Sequence, residues 1–254
     1  MRRTILTEEE LMAFRRDGYL VMTGVFDADE AEEIRLWVDE LEHLPEVPNR
    51  HMVYREASVD DPNKRVLDRI ENFVPYHREF DSLLNGDRLL GSVSELFGEQ
   101  AILFKEKINF KLPQSRGFEP HQDMQAGWED YGSLFITAAI AVDLSIKANG
   151  CLEIAPGWHD RGLIGKMWHP LGDEEIKDIT FVPCPMEPGD VVFFDSFVPH
   201  RSAPNRSRWA RRAIYASYNR LSEGDHRVGY FAAKRRSYPP DCERAPGERY
   251  EYKV

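Results

Sequence analysis

Beyond residue 101 the chain breaks into short apolar or alternating runs at 101–112, 134–144, 151–154, 179–182, 191–194 and 212–218. Asn149-Gly150, Pro156-Gly157 and Pro188-Gly189-Asp190 punctuate them, and such dipeptides mark tight turns. Runs this short with turns between them predict many strands rather than a few helices. The natural architecture for that pattern is a two-sheet sandwich closed as a jelly roll, which can hold side chains of both sheets around an interior site.

The first hundred residues read differently. Thr7 with Glu10, and Asp27 with Glu30, have capping-box spacing. Gly18 closes the first helix before the strand-like 19–22, and Ile34, Trp37, Val38 and Leu41 recur at helical spacing in the second. Helical signals continue at 64–73 and 80–97, the latter with Leu83, Leu84, Leu89, Leu90, Val93 and Leu96 on its apolar face. The expectation is a mainly β fold with flanking helices and a double-stranded β-helix (jelly roll, cupin-like) core. Residues 1–254 form a single domain in this reading: 1–100 mostly helical bracing, 101–233 the core, and 234–254 an extended tail rich in turn residues.

A net charge of −11 argues against nucleic acid as a partner, because phosphate binding depends on clustered Lys and Arg. Arg201, Arg206, Arg208, Arg211, Arg212 and Arg220 are the local exception. Cys151, Cys184 and Cys242 form neither a CxxC pair nor an even set, so a zinc ribbon or disulfide framework is not indicated and a reducing cytoplasm fits. Glu8-Glu9-Glu10 follows Met1-Arg2-Arg3 before any apolar run, which does not read as a signal peptide, and no run approaches the roughly 20 apolar residues of a membrane span. Oligomeric state is not legible.

Chemistry concentrates in two places. In Pro120-His121-Gln122-Asp123, an extended backbone would point His121 and Asp123 to one side and Gln122 to the other. Downstream, the turn at Pro188-Gly189-Asp190 launches an apolar strand with His200 just beyond it. Two imidazoles and one carboxylate on one face of a metal leave the other face open, as in non-haem iron(II) oxygenases. A His-x-Asp triplet alone is short enough to be a loop histidine and a turn residue, and His200 could be an ordinary loop residue. His159 and His169, in turn-rich segments with no strand feeding them, read as surface groups. Arg211 supplies a fork suited to a carboxylate. On a strand it would face inward and Arg212 outward, leaving Arg206 and Arg208 as solvated loop charges.

Along 103–112, Lys105, Lys107, Asn109 and Lys111 would share one side, and Glu106, Ile108, Phe110 and Leu112 the other. Either the first set meets the site, with Lys107 and Asn109 the leading polar contacts, or the lysines face solvent. Gln125, Trp128 and Tyr131 follow the metal motif and are candidates for the substrate side, with core packing as the alternative for the aromatics.

Taken together, Pro120-His121-Gln122-Asp123, the run from Asn149-Gly150 to Trp158-His159, Pro188-Gly189-Asp190, and His200-Arg201-Ser202-Ala203-Pro204-Asn205 followed by Arg211-Arg212-Ala213-Ile214 resemble the phytanoyl-CoA dioxygenase family, over residues 19–218. The resemblance implies a double-stranded β-helix, iron(II), and 2-oxoglutarate and molecular oxygen as co-substrates. It implies His121, Asp123 and His200 as iron ligands and as the catalytic centre. Arg211 would bind the distal carboxylate of 2-oxoglutarate, with Ser202 a second contact and Lys107 and Asn109 lining the co-substrate space. The implied reaction is hydroxylation of an unactivated C–H in a small or medium-sized metabolite, with 2-oxoglutarate decarboxylated to succinate and carbon dioxide. Related halogenating enzymes lack the carboxylate ligand, so Asp123 favours hydroxylation. Two other classes stay open: a cupin-like hydrolase or isomerase using a different divalent metal, and a non-catalytic jelly-roll binding protein. Arg211 separates them, having an evident duty only when a dicarboxylate binds.

Overall fold

The computed structural model describes residues 5–248 and Tyr250. Two antiparallel sheets face each other. The larger runs in the order β1 (Tyr19–Met22), β9 (Val191–Asp195), β6 (Phe135–Ala141), β11 (Arg211–Arg220), β4 (Ala101–Lys111), β3 (Arg65–Glu71), β2 (Met52–Ala57). The smaller runs β5 (Phe118–His121), β10 (His200–Ser202), β7 (Leu152–Ile154), β8 (Val182–Cys184). The helices are α1 (Glu8–Asp17), α2 (Ala28–His43), α3 (Arg78–Leu84), α4 (Ser92–Phe97), a single turn α5 (Asp173–Ile176) and α6 (Arg227–Ser237).

Strand alternation divides the interior. Ile136, Ala138, Ile140, Val191, Phe193, Ile214 and Ala216 point outward from the large sheet into a core shared with Ile34, Val38, Leu41, Phe80 and Leu84 of the helices. Their neighbours Ala139, Ala141, Val192, Phe194, Ala213 and Tyr215 point inward and pack on Leu152, Ile154 and Cys184 of the small sheet. Phe104, Trp128, Phe135, Tyr230 and Phe231 fill one end with aromatic rings. Between these apolar blocks lies a strip of buried polar side chains, and it holds the site.

Both capping boxes form. Thr7 and Asp27 accept from the backbone of Glu10 and Glu30, whose carboxylates return to the cap N–H groups, and Gly18 ends α1 with φ of 76°. The first hundred residues nevertheless supply three strands as well as bracing helices. Residues 64–73 are the main correction: the helical spacing of Val66, Leu67, Ile70 and Phe73 is overridden by pairing with β2 and β4, and 65–71 is strand. The turn at Asp61-Pro62-Asn63, where Asp61 accepts from Asn63 N and Lys64 N, was the available signal. The helix expected over 80–97 is interrupted, with Gly86 and a wide turn at Asp87–Gly91 separating α3 from α4. The strand expected at 179–182 begins only at Val182. The tail expected from 234 starts later, since α6 continues to Ser237. The segment after it lies along β2, with Tyr54 donating to Tyr238 O at 2.9 Å and Arg55 N to Asp241 at 3.0 Å. Arg249 and residues 251–254 of that expected tail lie outside the described residues. Among the described residues, no helix is long and apolar enough to cross a membrane.

Candidate metal centre

β5 and β10 are adjacent strands, and their register sets His121 directly opposite His200. Asp123 follows β5 by two residues, at the start of a short 3-10 turn. One donor atom from each of the three lies within 4.8 Å of the others. His200 Nε2 and Asp123 Oδ1 are 3.9 Å apart, and the imidazole centroids 4.3 Å.

Backbone carbonyls decide which ring nitrogen is free. His121 Nδ1 donates to Glu119 O at 2.7 Å and His200 Nδ1 to Val198 O at 3.0 Å, so each neutral ring presents Nε2 as a lone pair. Burial, and for His121 the adjacent His200 as well, pushes both imidazoles below their ordinary pKa, toward the form that binds metal. Burial opposes ionisation of Asp123, but His200, Lys107, His121 and Lys105 outweigh it and hold the carboxyl below its usual value. Thr137 Oγ1 donates to Asp123 Oδ2 at 3.2 Å and shares a 2.8 Å bond with Ser217, which leaves Oδ1 toward His200.

Arg211 sits on the same interior strip, 1% exposed, and none of its three guanidinium nitrogens has a hydrogen-bond partner among the described residues. A buried orphan cation is costly enough that a missing anion is the simplest explanation. Lys111 lies beside it. Its Nζ donates to Ser202 Oγ at 2.5 Å and Ala203 O at 2.6 Å, and burial, then Arg211, lowers its pKa to about 6. Gly150 makes this corner possible: at φ of 73°, a Cβ there would lie 2.1 Å from Ala203 O and 3.1 Å from Lys111 Nζ. Asn109 is buried on the same face of β4, its Oδ1 unpartnered. Sequence reasoning put Lys111 on that face but gave it no duty, because a strand lysine reads as solvent-facing until the covering segment is known.

The other candidates separate. Lys105 is buried, Lys107 half-buried, and both turn toward the strip rather than to solvent. Gln125 is fully buried and occupied: Oε1 accepts from Gln122 N, and Nε2 donates to Lys166 O and His169 O at 2.8 and 2.6 Å. Gln122 similarly binds Gly162 O, Phe197 O and Ile164 N, so the two glutamines fasten residues 162–169 over the metal motif. Trp128 packs edge-on against Phe104 and Phe135, with its Nε1 lacking an acceptor. Tyr131 lines an open cavity of about 600 Å³ with Met124, Leu163, Phe197 and His226. His159 and His169 lie outside the cluster, bonded to backbone carbonyls of Arg15 and Met167. Arg212 points away, paired with Asp143 at 2.8 Å and with Asp39.

Two neutral imidazoles and one carboxylate fit iron(II), and a buried guanidinium without an anion fits a dicarboxylate co-substrate. With the antiparallel two-sheet fold, they define a non-haem iron(II), 2-oxoglutarate-dependent dioxygenase. Residues 14–213 match the model of the phytanoyl-CoA dioxygenase (PhyH) family. The chain is 40% identical over 248 residues to a 2-aminoethylphosphonate dioxygenase of uncultured bacterium HF130_AEPn_1, covering 96% of this chain and 93% of that one. It is 36% identical to a methylphosphonate hydroxylase of Gimesia maris, covering 92% and 89%. Among solved structures, EctD of S. alaskensis with 2-oxoglutarate and 5-hydroxyectoine superposes with a TM-score of 0.73 at 22% identity, covering 88% of this chain and 79% of that one. The chain belongs to the phytanoyl-CoA dioxygenase family. Its cofactor is iron(II), and its co-substrates are 2-oxoglutarate and molecular oxygen.

Proposed function

We propose that this dioxygenase hydroxylates a small organophosphonate at a carbon near phosphorus, with His121, Asp123 and His200 as the iron ligands. The substrate class rests on one finding: the two relatives above, matched over nearly their whole length, are both named for phosphonates. Arg211, Lys111 and Ser202 hold the distal carboxylate of 2-oxoglutarate, and Asn109 lies along its flank. The unpartnered guanidinium supports this assignment. A reducing cytoplasm fits the three unpaired cysteines.

Bound iron(II), with 2-oxoglutarate and oxygen, supplies the oxidant that converts a C–H bond to C–OH while the diacid becomes succinate and carbon dioxide. The protein's share is orientation and exclusion. Glu119 O and Val198 O keep the protons of His121 and His200 on Nδ1, and Thr137 keeps Asp123 from rotating. Phe104, Trp128 and Phe135 close one end against water. Anaerobic loading with iron(II) and 2-oxoglutarate, then oxygen with 2-aminoethylphosphonate or methylphosphonate, should give a new phosphorus resonance and one succinate per hydroxylated product. Succinate that does not depend on either phosphonate, with no new phosphorus species, would defeat the proposal.

A further inference from the structure

β4 carries Lys105, Lys107, Asn109 and Lys111 on its inner face, and the two ends of that row differ. Lys111 is bonded to Ser202 and Ala203 beside Arg211. Lys105 is 4% exposed, yet it makes no hydrogen bond or ion pair among the described residues. Its ammonium stands 4.8 Å from the Trp128 ring centroid and 5.4 Å from that of Tyr230. Lys107 also has no carboxylate partner, its Nζ lying 5.4 Å from the Tyr215 ring centroid. Aromatic faces soften the burial of a cation but bring no opposite charge.

The surrounding carboxylates are committed. Glu71, near enough to feel Lys105, is paired with Arg69 at 2.9 Å and Lys234 at 2.6 Å. Asp123 feels both lysines but is a metal ligand in the proposed assignment. Lys105 is nonetheless close to that ligand, because its cross-strand partner Ser217 bonds Thr137, which bonds Asp123. The indole N–H of Trp128, 1% exposed and without an acceptor, adds an unused donor on the ring that Lys105 covers.

Distance separates this end from the co-substrate. Lys105 and Lys111 are six residues apart, about 20 Å along an extended strand, so a five-carbon diacid clamped at Arg211 and Lys111 falls well short of Lys105. Charge separates it as well. Iron(II) with Asp123 carries one net positive charge, and Arg211, Lys105 and Lys107 carry three more. A 2-oxoglutarate dianion leaves part of this positive charge unmet, before any proton that Lys111 gains is counted, and a second anion can meet it.

We propose that Lys105, with Lys107 beside it, is the seat for the substrate's oxyanion, and that this pair sets the preference for a tetrahedral dianionic headgroup. The proposal rests on the phosphonate reading for the identity of the anion. Phosphonate oxygens held there keep the adjoining carbon on the metal side of Asp123, so the seat also selects which C–H is attacked.

The test uses full-length protein loaded anaerobically with iron(II) and 2-oxoglutarate and titrated with methylphosphonate by calorimetry. Lys105→Met should weaken methylphosphonate binding by about 10- to 150-fold, the range for losing a hydrogen bond to a charged group. Lys107→Met should weaken it less, and Lys105→Arg should restore part of the loss. The dissociation constant of 2-oxoglutarate should stay within about twofold in Lys105→Met and Lys105→Arg, which also reports that the site has folded. If the wild type binds methylphosphonate and both methionine variants bind it equally well, the seat is refuted while the phosphonate reading stands. If the wild type ignores phosphonates but binds inorganic phosphate or sulfate in a Lys105-dependent way, the seat stands and the phosphonate reading falls. Absence of binding by any of these oxyanions overturns both.

Discussion

Two buried groups of charged side chains line the inner face of the large sheet, and they differ in whether their charges are answered. In one, Glu71 on β3 is fully buried but gripped by Arg69 and by Lys234 of α6. Burial opposes its ionisation, yet Lys234, Arg69 and Lys105 together bring the carboxyl down to about 2. In the other, near His121, Asp123 and His200, the Arg211 guanidinium has no hydrogen-bond partner among the described residues, and Lys105 and Lys107 act on Asp123 without a salt bridge to any carboxylate. A satisfied network fixes α6 against the sheet. An unsatisfied one stores an unfavourable energy that only ligands relieve, which is how a binding site differs from a scaffold built of the same residue types.

The sharpest way to break that contrast is to remove a metal ligand. Asp123→Ala should reduce iron-dependent succinate formation to background while far-ultraviolet circular dichroism remains that of the wild type. Turnover at the wild-type rate would remove Asp123 from the iron. The scaffold should answer in the opposite currency. Glu71→Gln leaves Arg69 and Lys234 facing each other with no anion between them, and should lower unfolding stability by about 3–5 kcal/mol in urea titrations. A loss within error of zero would make the two groups alike after all.

Arg211→Met sharpens the comparison from the other side. It removes a buried cation that has no partner, so the ligand-free protein should melt at a higher temperature than the wild type. The same change should weaken 2-oxoglutarate by about 2–5 kcal/mol, roughly 30- to 5000-fold, read by calorimetry. A variant less stable without ligand would mean that Arg211 has a structural partner.

How much of this was legible depended on whether the determinant was local. The strands after residue 101 announced themselves because Asn149-Gly150 and Pro188-Gly189-Asp190 leave the backbone few choices, and Arg211 and Arg212 separated to opposite faces by alternation alone. Residues 65–71 were not legible, since Val66, Leu67 and Ile70 suit a helix as well as a strand and only the distant edges of β2 and β4 decide between them. The same limit hid the duty of Lys111. Its burial depends on Gly150, Ser202 and Ala203, which the fold brings over it from 39, 91 and 92 residues away. Gln125 was misleading for a related reason: its position after the metal motif suggested substrate, but its amide is consumed by backbone at 166 and 169.

Lys111 carries the smallest predicted effect and the most specific. Burial, then Arg211, lowers its pKa to about 6, so above that pH the ligand-free protein holds mostly the neutral amine, donating to Ser202 and Ala203. An unfolded lysine titrates near 10.4, so between about pH 6 and 10 the unfolded chain binds more protons at this position than the folded one. Lys111's share of stability therefore rises with pH across that window, and Lys111→Met should flatten this part of the profile. A carboxylate arriving between Arg211 and Lys111 offsets the neighbouring positive charge and raises the amine's pKa. Binding of 2-oxoglutarate to iron-loaded, anaerobic protein at pH 8 should accordingly take up a fraction of a proton, seen as a binding heat that changes with the ionisation enthalpy of the buffer. Uptake should shrink below pH 6, where the ammonium is already formed, and vanish in Lys111→Met. Equal uptake in that variant would assign the proton to another group, and a buffer-independent heat at pH 8 would mean that the carboxylate does not reach this corner.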